Sequence, residues 1–147
     1  MYPPRFIQYL NLPVIPQEII DTLVLDIKEH RRQNNTVIRD SYTWSDYQTE
    51  KLNAWCKQNI SNDLYYGIQL MTADVPVHAD FGTKTKINFV IGTGGDQVLT
   101  KFYDPDQKIL LDSYQIEPFR WHIFKADLPH EIVNITGTRV SVTARIF

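Results

Sequence analysis

A chain of 147 residues, 43% of them hydrophobic, has room for one domain with a sizeable core and little more. Its net charge of -2 and its scattered lysines and arginines leave no electrostatic footprint for nucleic acid, and its longest apolar runs, such as Ile87 to Ile91, fall far short of a bilayer span. Cys56 is the only cysteine, which excludes an internal disulfide and a thiolate cluster, so a bound metal must be held by histidine and carboxylate.

Cys56 itself reads as a buried small hydrophobe. The start of the chain, Met1-Tyr2-Pro3-Pro4-Arg5, has no secretory apolar region behind it, and the expectation is a soluble cytoplasmic protein forming one domain over 1–147. Pro13 and Pro16 precede Gln17 to Lys28, where Ile19, Ile20, Leu23, Val24 and Ile27 recur at helical spacing, so an amphipathic helix is expected there. Ser45 with Gln48 three residues on resembles a capping box, and Leu52, Trp55 and Cys56 form an apolar stripe; this predicts a second helix from about Asp46 to Gln58.

From Tyr65 onward the texture changes to short β-rich runs: Leu64 to Met71, Lys86 to Ile91, Val98 to Tyr103, Ile109 to Tyr114, Trp121 to Phe124, Glu131 to Ile135 and Val140 to Phe147. Gly92-Thr93-Gly94-Gly95-Asp96, Asp104-Pro105-Asp106 and Thr136-Gly137-Thr138 supply the turns between them. Closely spaced strands after two helices predict a mainly β protein with N-terminal helices, either a barrel or a double-stranded β-helix (jelly roll, cupin-like), with the helices packed on one outer face.

Val77-His78-Ala79-Asp80 places an imidazole and a carboxylate two residues apart, and on a strand both point to the same face. Such a triplet is weak evidence alone, because short motifs arise by chance. His130, in Leu128-Pro129-His130-Glu131, is the leading third ligand; two histidines and one carboxylate form the facial arrangement of non-haem ferrous oxygenases. His30, beside Arg31 and Arg32, and His122, between Trp121 and Ile123, read instead as core or surface histidines.

The last strand adds the second half of a site. Val140, Val142, Ala144 and Ile146 form one face, and Arg139, Ser141, Thr143 and Arg145 the other. Taken alone, that pattern also fits a solvated edge strand. With the apolar face covered by helices, the polar row points into the mouth of the barrel, where Arg139 offers a permanently charged fork for a carboxylate and Ser141 donates from the same side. Arg145, six residues along, either recognises an acidic substrate group at the opposite rim or is a solvated arginine.

His78-x-Asp80, then His130, then Arg139 nine residues later resembles the 2-oxoglutarate and Fe(II)-dependent oxygenases, in particular their compact prolyl-4-hydroxylase-like branch. Lys84 to Phe89 followed by Phe102-Tyr103 is similar to short oxygenase-like proteins of phages and marine bacteria, and Trp121-His122-Ile123-Phe124 before Pro129 to Asn134 resembles the closing strands of aspartyl/asparaginyl hydroxylase relatives. The resemblance covers roughly Tyr65 to Phe147. It implies that His78, Asp80 and His130 ligate Fe(II) and carry catalysis. It also implies that Arg139 pairs with the distal carboxylate of 2-oxoglutarate with Ser141 assisting, that dioxygen is the oxidant, and that the retained Asp80 favours hydroxylation over halogenation. It further implies a tyrosine hydroxyl on the co-substrate, from Tyr66, Tyr65 or Tyr103, unless Met71 occupies that position instead. The implied activity is hydroxylation of a peptide or small-molecule substrate, with no nucleic-acid or membrane partner. The same barrel also suits a cupin-like module that binds a metal or small anion without turnover, or a metal-free structural jelly roll.

Overall fold

The computed structural model describes residues 6–23, 38–39, 42–47, 49–80 and 82–146. Among them, Ile7–Tyr9 (β1) precedes a helix at 17–23 (α1), followed by Ile38–Arg39 (β2), Tyr42–Tyr47 (β3) and the helix Glu50–Asn59 (α2). The strands Gly67–Met71 (β4), Val75–His78 (β5), Thr85–Thr93 (β6), Leu99–Tyr103 (β7), Leu110–Tyr114 (β8), Trp121–Lys125 (β9), His130–Val133 (β10) and Arg139–Ile146 (β11) complete the chain. They form two antiparallel sheets, one ordered β1-β9-β6-β11-β4-β3-β2 and the other β5-β10-β7-β8, which is the expected jelly roll. None of the helices among the described residues is long and apolar enough to cross a membrane.

Strand alternation divides the larger sheet cleanly. Ile68 and Leu70 of β4, Ile87 and Phe89 of β6, Trp121 of β9, and Val142 and Ala144 of β11 face outward and pack against Ile20 and Leu23 of α1 and Leu52 and Cys56 of α2. Burial there pushes the Cys56 thiol up to about 12, so it stays a neutral hydrophobe. On the inner side, Val90 of β6 and Phe124 of β9 meet Phe102 of β7 from the smaller sheet. The central place of β11, between β6 and β4, rules out the solvated-edge reading of its polar row.

Four expectations need correction. The second helix begins at Glu50, because Ser45 and Asp46 are taken up in β3, paired with Leu70 and Gln69 of β4; the Thr49 hydroxyl, not Ser45, caps it by accepting from the Leu52 N–H at 3.4 Å. Strands do not start at residue 65, since β1 and β3 precede it and join the larger sheet. Val75–His78, absent from the expected runs, is a strand that tolerates Pro76 by lying at a sheet edge. Asp80 lies beyond the end of that strand, so its orientation is set by its own contacts rather than by strand alternation. The first helix holds where it is described, and its expected extension to Lys28, with His30, lies outside the described residues.

Leu52 is 0% exposed at the junction of α2 with the sheet, whereas Ile109 is 61% exposed. Leu52→Ala is expected to destabilise the fold by about 2–5 kcal/mol, and Ile109→Ala by no more than about 0.5 kcal/mol, as read from urea unfolding midpoints.

Candidate metal centre

His78 closes β5 and His130 opens β10, and the two strands pair so that these residues are direct cross-strand partners. Their rings lie 4.5 Å apart between centroids. The chain then leaves β5, and the Asp80 N–H donates to the Ala126 carbonyl at 2.9 Å, fastening the carboxylate segment to the turn after β9. Each ring nitrogen Nδ1 faces a backbone carbonyl two residues earlier, Pro76 O at 2.8 Å for His78 and Leu128 O at 2.7 Å for His130. A carbonyl only accepts, so Nδ1 carries a proton in each ring; Nε2 offers a lone pair when the ring is neutral, and that of His78 donates to the Asp80 carboxylate when the ring is charged. Those atoms converge on one oxygen: His78 Nε2 is 3.2 Å and His130 Nε2 is 3.8 Å from Asp80 Oδ1. One ligand atom from each of the three residues lies within 4.8 Å of the others.

This donor set fits a divalent cation: two imidazoles and a carboxylate are the ligands a hard-to-borderline metal prefers, and the carbonyls that fix the rings are the outer partners such histidines need. Burial opposes a charge on Asp80, but the His78 hydrogen bond and Lys86, whose Nζ is 2.5 Å from Oδ2, hold its carboxyl well below the usual carboxylate range. Burial also opposes protonation of His78, yet Asp80 and the Pro76 carbonyl outweigh it and leave its pKa above the ordinary histidine value. His130 is buried more deeply and is pushed down to about 4, chiefly by desolvation.

The three residues border a cavity of about 370 Å³ between the sheets. Its other wall is the inner face of the larger sheet: Gln69 and Met71 of β4, Lys86, Asn88 and Val90 of β6, His122 and Phe124 of β9, and Arg139, Ser141 and Arg145 of β11. Arg139 is only 5% exposed and pairs with no carboxylate among the described residues; its Nη1 donates to Thr93 O at 3.0 Å. Burial lowers it to about 10, which leaves it fully charged at neutral pH. Its backbone is held close by the turn after β6. A Cβ on Gly94 (φ +85) would lie 3.0 Å from the Arg139 N and Cβ, and Gly94 O accepts from the Thr136 and Gly137 N–H groups at 2.8 Å each. A buried charge without a counter-charge is costly, and this one faces a cavity.

His78, Asp80, His130, Arg139, Ser141 and Arg145 thus share one cavity, as does Met71, the residue named in place of a tyrosine. Tyr66 does not. It is fully buried on the helix side of the larger sheet, its hydroxyl donating to Ser61 O at 3.0 Å and its ring packed on Trp121, so its proposed contact with a co-substrate is withdrawn. Tyr103 donates to Glu131 Oε1 at 2.6 Å, and Tyr65 is 71% exposed beneath Lys57. His122, expected from sequence to be a core or surface histidine, is buried yet lines the cavity beside its register partner Asn88. Its place on the strand next to β6, in phase with Phe124, was the available signal.

No protein-family model matches the chain, and no curated protein matches it in sequence. Solved structures do match in fold. A prolyl-4-hydroxylase from Pseudomonas putida aligns with 96% of this chain and 92% of its own, at a TM-score of 0.63 and 14% identity. The non-heme alpha-ketoglutarate-dependent carbocyclase SnoK from nogalamycin biosynthesis aligns over 93% and 78%, at 0.65 and 9%. A prolyl hydroxylase from Trichoplax adhaerens, solved with a hypoxia inducible factor peptide fragment, aligns over 97% and 83%, at 0.60 and 11%. The chain therefore has the jelly-roll fold that these oxygenases share.

Burial, and next the charge of Arg139, push His122 down to about 4 from an ordinary 6.5, against a smaller opposite effect of the Arg120 carbonyl. As pH falls, the unfolded chain takes up that proton first. The neutral ring's contribution to stability is fully present above about pH 6.5 and is lost on descent to about pH 4. His122→Leu is expected to flatten this acid limb by on the order of 3 kcal/mol, measured as unfolding free energy from pH 7 to 4.

Proposed function

We propose that this protein is an Fe(II)- and 2-oxoglutarate-dependent dioxygenase, a hydroxylase-type oxidoreductase, with His78, Asp80 and His130 as iron ligands. The observation that carries this reading is the joint presence, in one cavity, of a His-Asp-His donor cluster and a buried arginine with no carboxylate partner among the described residues. A metal site alone would suit many functions. A metal site with a permanently charged fork facing the same space suits a co-substrate that chelates at one end and carries a carboxylate at the other, which describes 2-oxoglutarate.

Bound iron supplies the oxidising chemistry, in which dioxygen, 2-oxoglutarate and a substrate C–H bond give succinate, carbon dioxide and a C–OH group. The chain's own residues do the rest. His78 and His130 are oriented by the Pro76 and Leu128 carbonyls, so neither ring must reorganise to present Nε2. Lys86 steers Oδ2 of Asp80 away from the histidines and leaves Oδ1 directed at them. Arg139 would take the distal carboxylate by paired N–H donation, and Ser141, its neighbour along the same face of β11, would add a hydroxyl. Val75, Val90, Ile116, Phe124 and Ile132 line the remaining wall and keep the space between these groups poor in water.

Anaerobic addition of Fe(II) and 2-oxoglutarate is expected to give a charge-transfer absorption, and admission of oxygen to give succinate. Absence of both would overturn the oxygenase reading, and the absorption without succinate would favour a binding module. His78→Ala should abolish metal binding. Arg139→Ala should retain the metal while weakening 2-oxoglutarate about 10- to 100-fold by equilibrium dialysis, the loss of a charge-assisted pair.

A further inference from the structure

The larger sheet places its cations in register. Arg145 of β11 is the cross-strand partner of Lys86 of β6, and the Lys86 ammonium reaches Asp80 Oδ2. Arg145 therefore stands at the metal end of the cavity, whereas Arg139 lies six residues away along the same strand, about 20 Å at ordinary strand rise. One carboxylate cannot serve both.

An exposed arginine is ordinarily a solvated one. Arg145 differs in that it lines the cavity and makes no ion pair with a carboxylate among the described residues. The charge balance of the cavity sharpens the point. Lys86, Arg139 and Arg145 face a single carboxylate, Asp80, an excess of two positive charges. Fe(II) and the 2-oxoglutarate dianion cancel one another, so that excess persists in the loaded site. Focused between low-dielectric walls, such a field selects anions.

We infer that Arg145 is a substrate-binding residue and that the primary substrate is a small organic acid, its carboxylate paired with Arg145 and its apolar body against the neighbouring wall. This rests on the oxygenase reading for the identity of the co-substrate. The size of the cavity supports a small molecule, because about 370 Å³ must also take 2-oxoglutarate. At that end Ala79 and Phe124, the latter the cross-strand partner of Lys86, supply the apolar wall. Exposure keeps the pair in contact with water, so its contribution is that of a rim charge, enough to choose among ligands.

The test uses 3-phenylpropionate, which joins a carboxylate to an apolar body, and its uncharged amide. Each is titrated calorimetrically into Mn(II)-loaded protein with and without saturating 2-oxoglutarate. The acid is expected to bind at least about tenfold more tightly than the amide; Arg145→Ala should weaken the acid about tenfold and leave the amide unchanged, and Arg145→Lys should keep most of the preference. Equal affinities for acid and amide, no binding of the acid, or an Arg145→Ala protein that binds the acid as the native chain does would each overturn the inference. Failure of 2-oxoglutarate itself to bind would count against the oxygenase reading, and the titrations without it would still report on Arg145.

Discussion

Two imidazole rings, each with its Nδ1 proton committed to a carbonyl two residues back, turn their Nε2 atoms toward the same carboxylate oxygen. Three such atoms within 4.8 Å repel one another unless positive charge, a metal ion or a proton on His78 Nε2, sits among them. The backbone enforces this crowding: β5 and β10 pair with His78 opposite His130, and the Asp80 amide is tied to Ala126. Moving any one of the three would require breaking a strand pairing or a carbonyl contact, so the fold carries the cost of the cluster, which a bound metal would offset.

The remainder of the molecule serves to hold that cluster against a polar wall without letting the core leak into it. Alternation along β4, β6, β9 and β11 sends one set of residues to the helices and the other to the cavity, so a single sheet is both core and binding surface. The positions of the two arginines on β11 follow from the same alternation. Arg139 is buried by the Gly94 turn and is suited to a deeply held carboxylate; Arg145 stays exposed beside Lys86 and is suited to a partner at the rim.

Much of this was legible in the sequence because it depends on local periodicity. The Val140-Val142-Ala144-Ile146 face and its polar counterpart are written in alternate residues, and the His-x-Asp triplet, His130 and Arg139 could be joined by order and spacing. What escaped depends on partners distant in sequence. Pro76 argues against a strand until β5 is known to be an edge, and Ser45 looks like a helix cap until β4 is seen to claim its backbone. Tyr66 and His122 show the same limit for side chains. Both are buried, and the folded structure is needed to distinguish the side that packs on Trp121 from the side that meets the cavity.

The claim on which everything else rests is that His78, Asp80 and His130 hold one metal ion together. Titration of metal-stripped protein with Mn(II), read by the loss of the free-ion electron paramagnetic resonance signal, addresses it without relying on turnover. One bound equivalent per chain in the native protein, lost in Asp80→Ala and in His130→Ala while both variants stay folded by circular dichroism, is the predicted result. Undiminished binding in those variants, or no binding in the native chain, would contradict the account.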